Sequence, residues 1–190
     1  LPELRVVARA GVGYDRVDVP AATKRHVAVT ITPTANHEAV AEQTLSLIFS
    51  LIKGTAKHDR QVRAGLWPKM PQGAVRGKTL GIFGLGRIGR TMSIRAKAMG
   101  MKVIANEAAP QAAFVAEHGI ELVSFDELLA RSDVFSMHAP LTPATVGIIN
   151  KATIAKMKPG AYFINTARGL MVNEADLLAA LQSGHLAGAG

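Results

Sequence analysis

The stretch Lys78-Thr79-Leu80-Gly81-Ile82-Phe83-Gly84-Leu85-Gly86-Arg87-Ile88-Gly89-Arg90 leaves this chain few ways to fold. It reads as a short apolar strand, a turn carrying three glycines, and the start of an amphipathic helix. A dinucleotide pyrophosphate needs that order of elements. Gly84 permits a tight turn, Gly86 lets the main chain approach phosphates, and Gly89 allows helix to pack closely on strand, while free N–H groups at the helix start face the anion. A glycine-rich βαβ turn without a ligand is the competing reading. The context weighs against it: a second strand at 101–105 ends at Asn106-Glu107. Glu107 follows Gly89 at close to the ~20-residue interval at which a carboxylate accepts from ribose hydroxyls.

Downstream of Lys78 the pattern alternates. Strands are expected near 79–83, 101–105, 120–123, 133–137, 161–165 and from Leu186, and helices over 87–98, 110–118, 125–131, 151–157 and 174–182. Ser124 and Glu127 form a capping box, Asn173 caps the last helix and Gly184 ends it. Alternation at this spacing predicts an α/β fold with a doubly wound parallel sheet of Rossmann type. Upstream, a strand at 4–8, a turn at Gly11-Val12-Gly13, a helix begun by Asp18 and Pro20 and a strand at 27–31 form a separate unit. The boundary falls at Thr32-Pro33-Thr34, which gives residues 1–32 to one unit and 33–190 to the dinucleotide-binding domain. The longest helix is expected from Asn36 to about Arg63. Residues 65–77 read as a loop in which Trp67 serves packing or an interface.

Length and composition narrow the function. At 190 residues the chain holds one domain, or one domain and part of another, and 48% hydrophobic residues suffice for a sizeable core. The absence of cysteine removes disulfides, thiolate metal sites and thiol nucleophiles, and fits a cytoplasmic setting. The net charge of +8 comes from scattered Lys and Arg without aromatic interleaving. That pattern argues against a nucleic-acid partner and for an anionic cofactor with an anionic substrate. No stretch approaches the ~20 apolar residues of a membrane span. No His pairs with carboxylates at metal-ligand spacing, so no metal site is expected. The chain opens without methionine and stops inside a strand pattern, as a piece of a longer protein would.

In such a sheet a ligand lies beyond the carboxyl ends of the strands. Arg168, in Asn165-Thr166-Ala167-Arg168-Gly169, is the leading candidate there, because its fork matches a carboxylate bidentately. The alternative is a surface arginine bridging to a nearby acid. His138, in His138-Ala139-Pro140-Leu141-Thr142, sits at another strand end. The proline behind it points to a loop that covers a cofactor rather than to a general base.

Together with Gly11-Val12-Gly13-Tyr14-Asp15-Arg16-Val17-Asp18 and Ala39-Val40-Ala41-Glu42, these motifs occur in an order that resembles the D-isomer-specific 2-hydroxyacid dehydrogenases, most closely the phosphoglycerate dehydrogenase-like members. The resemblance spans essentially the whole chain. It implies a two-domain subunit in which this chain supplies most of the cofactor domain and a short remnant of a flavodoxin-like substrate domain. It implies Arg168 as the arginine that holds the substrate carboxylate and polarises the C2 oxygen, and Val12 and Gly13 as the loop whose amides bind the same carboxylate. It places Arg87 and Ile88 along the pyrophosphate, His138, Pro140 and Thr145 among the cofactor-lining residues, and Thr166 and Ala167 near the nicotinamide. Glu107 stands where the family normally has Asp; a carboxylate there favours NAD over NADP. The family's catalytic histidine and supporting glutamate are expected beyond Gly190, so this chain alone should bind cofactor without turnover. The helix from Asn36 and the Trp67 loop resemble the family's subunit interface, which implies a homodimer. Two other activities share the fold: an NAD(H)-sensing co-repressor, and a dehydrogenase for another small anion such as formate or phosphite.

Overall fold

The computed structural model describes residues 2–69 and 71–190. A two-stranded parallel sheet comes first, formed by β1 (Val6–Arg9) and β2 (Ala28–Ile31) around α1 (Val19–Lys24). Asp18 caps α1 through a 2.9 Å bond from the Ala21 amide, and Pro20 occupies its first turn, as its sequence position requires.

Two helices connect this unit to the main sheet, α2 (His37–Lys53) and α3 (Thr55–Arg63). The single helix expected through Arg63 is therefore corrected to a pair. Gly54 takes a left-handed φ of 63° and its N–H closes onto the carbonyls of Ser50 and Leu51, which ends one helix and lets the next begin. The Asn36 side chain makes no capping bond at the start of α2. Ala41, Thr44, Ile48 and Ile52 form the buried stripe of α2, at the three- and four-residue spacing that keeps one face inward.

The main sheet contains β3 (Thr79–Phe83), β4 (Lys102–Asn106), β5 (Glu121–Leu122), β6 (Val134–Met137), β7 (Ala161–Asn165) and β8 (Leu186–Ala189). All pairs are parallel and the strand order is β5-β4-β3-β6-β7-β8. The order reverses direction between β3 and β6, so the crevice of a doubly wound sheet opens where those two strands end. Residues 80–83 and 134–137 are buried on both sides, as expected of strands sandwiched between helical layers. On one face α2, α4 (Arg87–Ala98) and α5 (Ala112–His118) pack around Leu80, Ile82 and Ile164. On the other, α6 (Phe125–Arg131), α7 (Lys151–Ile154) and α8 (Glu174–Gln182) pack around Phe135, Phe163 and Met171. The capping box of Ser124 and Glu127 forms, Asn173 caps α8, and α7 is shorter than the 151–157 helix expected. No helix among the described residues is long and apolar enough to cross a membrane.

The expected loop holds α3's exit and the approach to β3. Trp67 in it is 80% exposed and packs into no core of this chain.

Candidate cofactor and substrate site

The three glycines of the turn after β3 do different jobs. Gly84 has φ +97°, and a Cβ there would lie 2.5 Å from the Ala139 amide nitrogen, so the turn rests directly on the main chain that leaves β6. A Cβ at Gly89 would meet the Gly84 carbonyl oxygen at 2.2 Å, which fixes α4 against the turn. Gly86 is different: nothing lies within 4 Å of where its Cβ would be, and its φ of −67° suits any residue. The protein's own packing requires two of these glycines, and the open space over the third is room for a ligand. No side chain caps α4, whose first residue Arg87 is exposed while Ile88 is half-buried. The amides of that first turn thus face the space above Gly86 with the partial positive charge of a helix start. These residues fit a dinucleotide pyrophosphate.

Glu107, just past the end of β4, reaches back to this turn. Its Oε2 accepts from the Leu85 amide at 2.6 Å and its Oε1 from the Ala109 amide at 3.1 Å. A carboxylate has about four acceptor sites, so two remain for hydroxyl donors. On the other side of the crevice, the His138 ring turns inward. Its Nε2 pairs with Ser136 Oγ at 2.9 Å and its Nδ1 is buried without a partner, although part of the residue surface is exposed. Burial pushes its pKa down to about 4, so the ring is neutral. Thr145 holds the loop that follows: its Oγ1 donates to the Pro140 carbonyl at 2.8 Å and accepts from the Thr142 amide at 2.8 Å, leaving Pro140 exposed.

The segment after β7 is shaped by side chains that the sequence motif named but did not explain. Asn165 Oδ1 accepts from the Ala167 amide at 3.0 Å, and Asn165 Nδ2 donates to the Arg168 carbonyl at 2.9 Å. Thr166 is committed to α2. The hydroxyl of fully buried Thr44 donates to the Val40 carbonyl, so in its 3.0 Å pair with Thr166 the Thr166 hydroxyl is the donor.

Arg168 projects into a cleft of about 850 Å3 whose polar lining is Arg9, Asp15, Arg16, Asn36, Arg168 and Glu174, with Val12 and Gly13 also lining it and Gly13 directly against the Arg168 guanidinium. The acid bridge weighed as an alternative for Arg168 is present. Nε and Nη2 both donate to Asp15 Oδ1, at 3.0 and 2.8 Å, and Nη1 donates to the Ala167 carbonyl at 2.9 Å. The hydrogen bonds from Arg168, then a backbone hydrogen bond at Asp15 and Coulombic attraction to Arg168 and Arg9, hold the Asp15 carboxyl below the usual carboxylate range. Two polar atoms on this wall, Arg9 Nε and Asn36 Oδ1, are buried without a partner. In the sequence Asn36 marks only a helix start and Arg9 carries no role; a buried polar atom without a partner is a signal visible only in three dimensions. No histidine lines the cleft, and among the described residues no group of three or more His, Asp or Glu is placed to hold a metal ion.

Comparison with known proteins now decides the family. Residues 45–190 match the family described as "D-isomer specific 2-hydroxyacid dehydrogenase, NAD binding domain". The chain belongs to this family. A D-3-phosphoglycerate dehydrogenase of Mycobacterium leprae is 46% identical over the whole of this chain, which spans 36% of that protein. A glyoxylate reductase of Thermococcus litoralis is 39% identical over the whole chain, which spans 60% of it. Among solved structures, D-lactate dehydrogenase from Aquifex aeolicus, complexed with NAD and lactic acid, superposes with a TM-score of 0.92 at 35% identity, covering all of this chain and 57% of that one. The Rossmann-type sheet and the NAD-binding character expected from the 2-hydroxyacid dehydrogenase motifs are both borne out.

Proposed function

We propose that the protein containing this chain is an NAD-dependent dehydrogenase that interconverts a D-2-hydroxy acid and its 2-keto acid. The observation that carries this reading is Arg168, a guanidinium set in a cleft beside the Val12-Gly13 loop and at the carboxyl end of the sheet that bears the glycine turn. When bound, NAD supplies the nicotinamide C4 that exchanges a hydride with C2 of the acid. The chain's own residues bind and orient. The amides around Gly86, Arg87 and Ile88 hold the pyrophosphate, and Glu107 accepts from the ribose hydroxyls while repelling the 2′-phosphate of NADP. The 138–145 segment, with His138, Pro140 and Thr145, lines the adenosine side, and the main chain at Thr166 and Ala167 borders the nicotinamide.

Arg168 grips the substrate carboxylate and polarises the C2 oxygen, and the Val12 and Gly13 amides, beside the guanidinium, take the same carboxylate. Holding C2 at near-attack distance is a positioning effect that lowers a barrier by ~7–11 kcal/mol in well-oriented systems. The proton on the C2 oxygen needs an acid–base group; no histidine lines the cleft and Asp15 is engaged by Arg168, so on this reading the chain alone binds cofactor without turnover. Residues 1–32 then form the end of the substrate-domain segment and 33–190 the cofactor domain. The exposed Val62 of α3 and Leu66 and Trp67 just after it support a homodimer through this face, which size-exclusion chromatography with light scattering of a Trp67→Ala variant would test.

The deciding experiment is steady-state reduction of a panel of 2-keto acids by the full-length protein, with NADH and with NADPH. Arg168→Lys should lower kcat/KM by roughly 100-fold, because a point charge cannot reproduce a two-pronged grip. An Arg168→Lys enzyme of near-normal kcat/KM would remove the role assigned to this arginine.

A further inference from the structure

Asp15 and Arg168 are far apart in sequence and touch only because the N-terminal unit lays its 11–18 loop across the end of β7. That loop is anchored at both ends. The Gly11 amide donates to Thr32 Oγ1 at 2.7 Å, the Thr32 amide returns a bond to the Gly11 carbonyl at 3.0 Å, and Asp18 caps α1. The Val17 amide closes a turn onto the Tyr14 carbonyl at 2.9 Å, with Asp15 inside it. Asp15 is thus presented from a stiff support.

Counting donors distinguishes two roles for this contact. A guanidinium carries five N–H groups. Nε–H and one N–H of Nη2 converge on a single oxygen, Asp15 Oδ1, and one N–H of Nη1 goes to the Ala167 carbonyl. What remains is one N–H on each terminal nitrogen, the two donors that a second carboxylate needs. If Asp15 stood in the substrate's place, it would occupy both terminal nitrogens; it takes the side edge of the fork instead. Gly13 shows how tightly this arrangement is built: a Cβ there would lie 1.7 Å from Nη2 and 3.0 Å from Asp15 Oδ1. The pair fills the space that a side chain at residue 13 would need.

We infer that Asp15 is a positioning residue for substrate binding: it clamps the side edge of the Arg168 guanidinium so that the end edge stays aimed at the substrate carboxylate. Without this clamp, Arg168 shares the cleft with Arg9 and Arg16, and like charges would drive a long flexible side chain towards solvent. The carboxyl's lowered pKa keeps it ionised, and therefore gripping, at any working pH. The inference rests on the substrate role proposed for Arg168 and adds a second residue, from the N-terminal unit, to that grip.

The test uses the full-length enzyme with its best 2-keto acid, comparing Asp15→Ala, Asp15→Asn and Arg168→Lys for kcat, KM, NADH dissociation constant and Tm. Asp15→Ala should raise KM for the keto acid by about tenfold, with NADH binding unchanged within about twofold. Asp15→Asn, which keeps an acceptor oxygen at the same place, should recover most of that loss. A merely structural role would lower Tm, weaken NADH binding and show no rescue by Asn, which would overturn the inference. So would a fall in KM for Asp15→Ala, the signature of a carboxylate that competes with substrate. An unchanged Asp15→Ala beside a strongly impaired Arg168→Lys sinks the Asp15 inference alone. An unimpaired Arg168→Lys sinks the function proposed for the cleft.

Discussion

The glycine turn and the arginine cleft lie at the same end of the sheet but are built by opposite means. The turn is made mainly of main chain: Gly84 rests on the Ala139 backbone and Gly89 on the Gly84 carbonyl, with one side chain, Glu107, bonded to the Leu85 amide. The polar wall of the cleft is made of side chains, those of Arg9, Asp15, Arg16, Asn36, Arg168 and Glu174, with Arg168 held by one ion pair and a backbone carbonyl. Main-chain packing tolerates no change of volume, whereas a side-chain clamp fails gradually. The two regions should therefore break differently.

The largest expected effect lies within the turn itself. Gly84→Ala forces a Cβ into backbone atoms at 2.5–2.7 Å and imposes a positive φ on an L-residue. It should cost on the order of 3–5 kcal/mol in thermal unfolding. Gly86→Ala meets open space, so its stability should stay within about 0.5 kcal/mol of the parent. Its NADH affinity should nevertheless fall at least about tenfold, because the methyl group stands where the pyrophosphate approaches. Equal destabilisation by the two substitutions, or normal NADH binding by Gly86→Ala, would undo the distinction between structural and ligand-facing glycines.

Acid should separate the regions as well. His138 lies under the turn with its pKa pushed by burial from 6.5 to about 4. The unfolded chain takes up a proton below pH 6.5 that the folded chain refuses, so this contribution is complete above pH 6.5 and is lost as pH falls through about 4. The loss is at most about 3 kcal/mol. Asp15 is lowered too, chiefly by its hydrogen bonds from Arg168, so the clamp's contribution persists until pH falls below the ordinary carboxylate range. Stability measured against pH should decline between about 6.5 and 4 in the parent, and His138→Gln should flatten that decline. An unaltered slope in the variant would mean that the ring is not neutral in the folded protein.

The contrast also explains what could be read in the sequence. The sheet was legible because strand period, glycine turn and helix caps are local: every strand after Lys78 falls within a residue or two of its expected place, and both Ser124 and Asn173 cap as their positions require. The glycine turn was legible for the same reason. The clamp was not. Asp15 lies inside a motif, but nothing local says which residue it will hold, and its partner comes from the far end of the chain. Glu107's bond to the Leu85 amide and the Thr44–Thr166 pair were hidden likewise, since each depends on packing between elements. The break between α2 and α3 was missed for a different reason. A glycine inside a helical pattern is tolerated often enough that the pattern alone continues through it.

That break supplies the smallest and most discriminating control. Helix α2 touches the cleft at Asn36 and the end of β7 through Thr44, but ends at Gly54 well beyond both. Gly54→Ala places an alanine at φ 63°, with only the His58 ring near its Cβ at 3.5 Å, so the cost is backbone strain without a serious clash. Stability should fall by about 1 kcal/mol, with NADH affinity and keto-acid KM unchanged. If the substitution instead weakens NADH binding, α2 and α3 act as one lever on the site, and neither the turn nor the cleft is as self-contained as its local bonding implies. If it leaves stability untouched, the two helices have fused through residue 54, and Gly54 is no true helix stop.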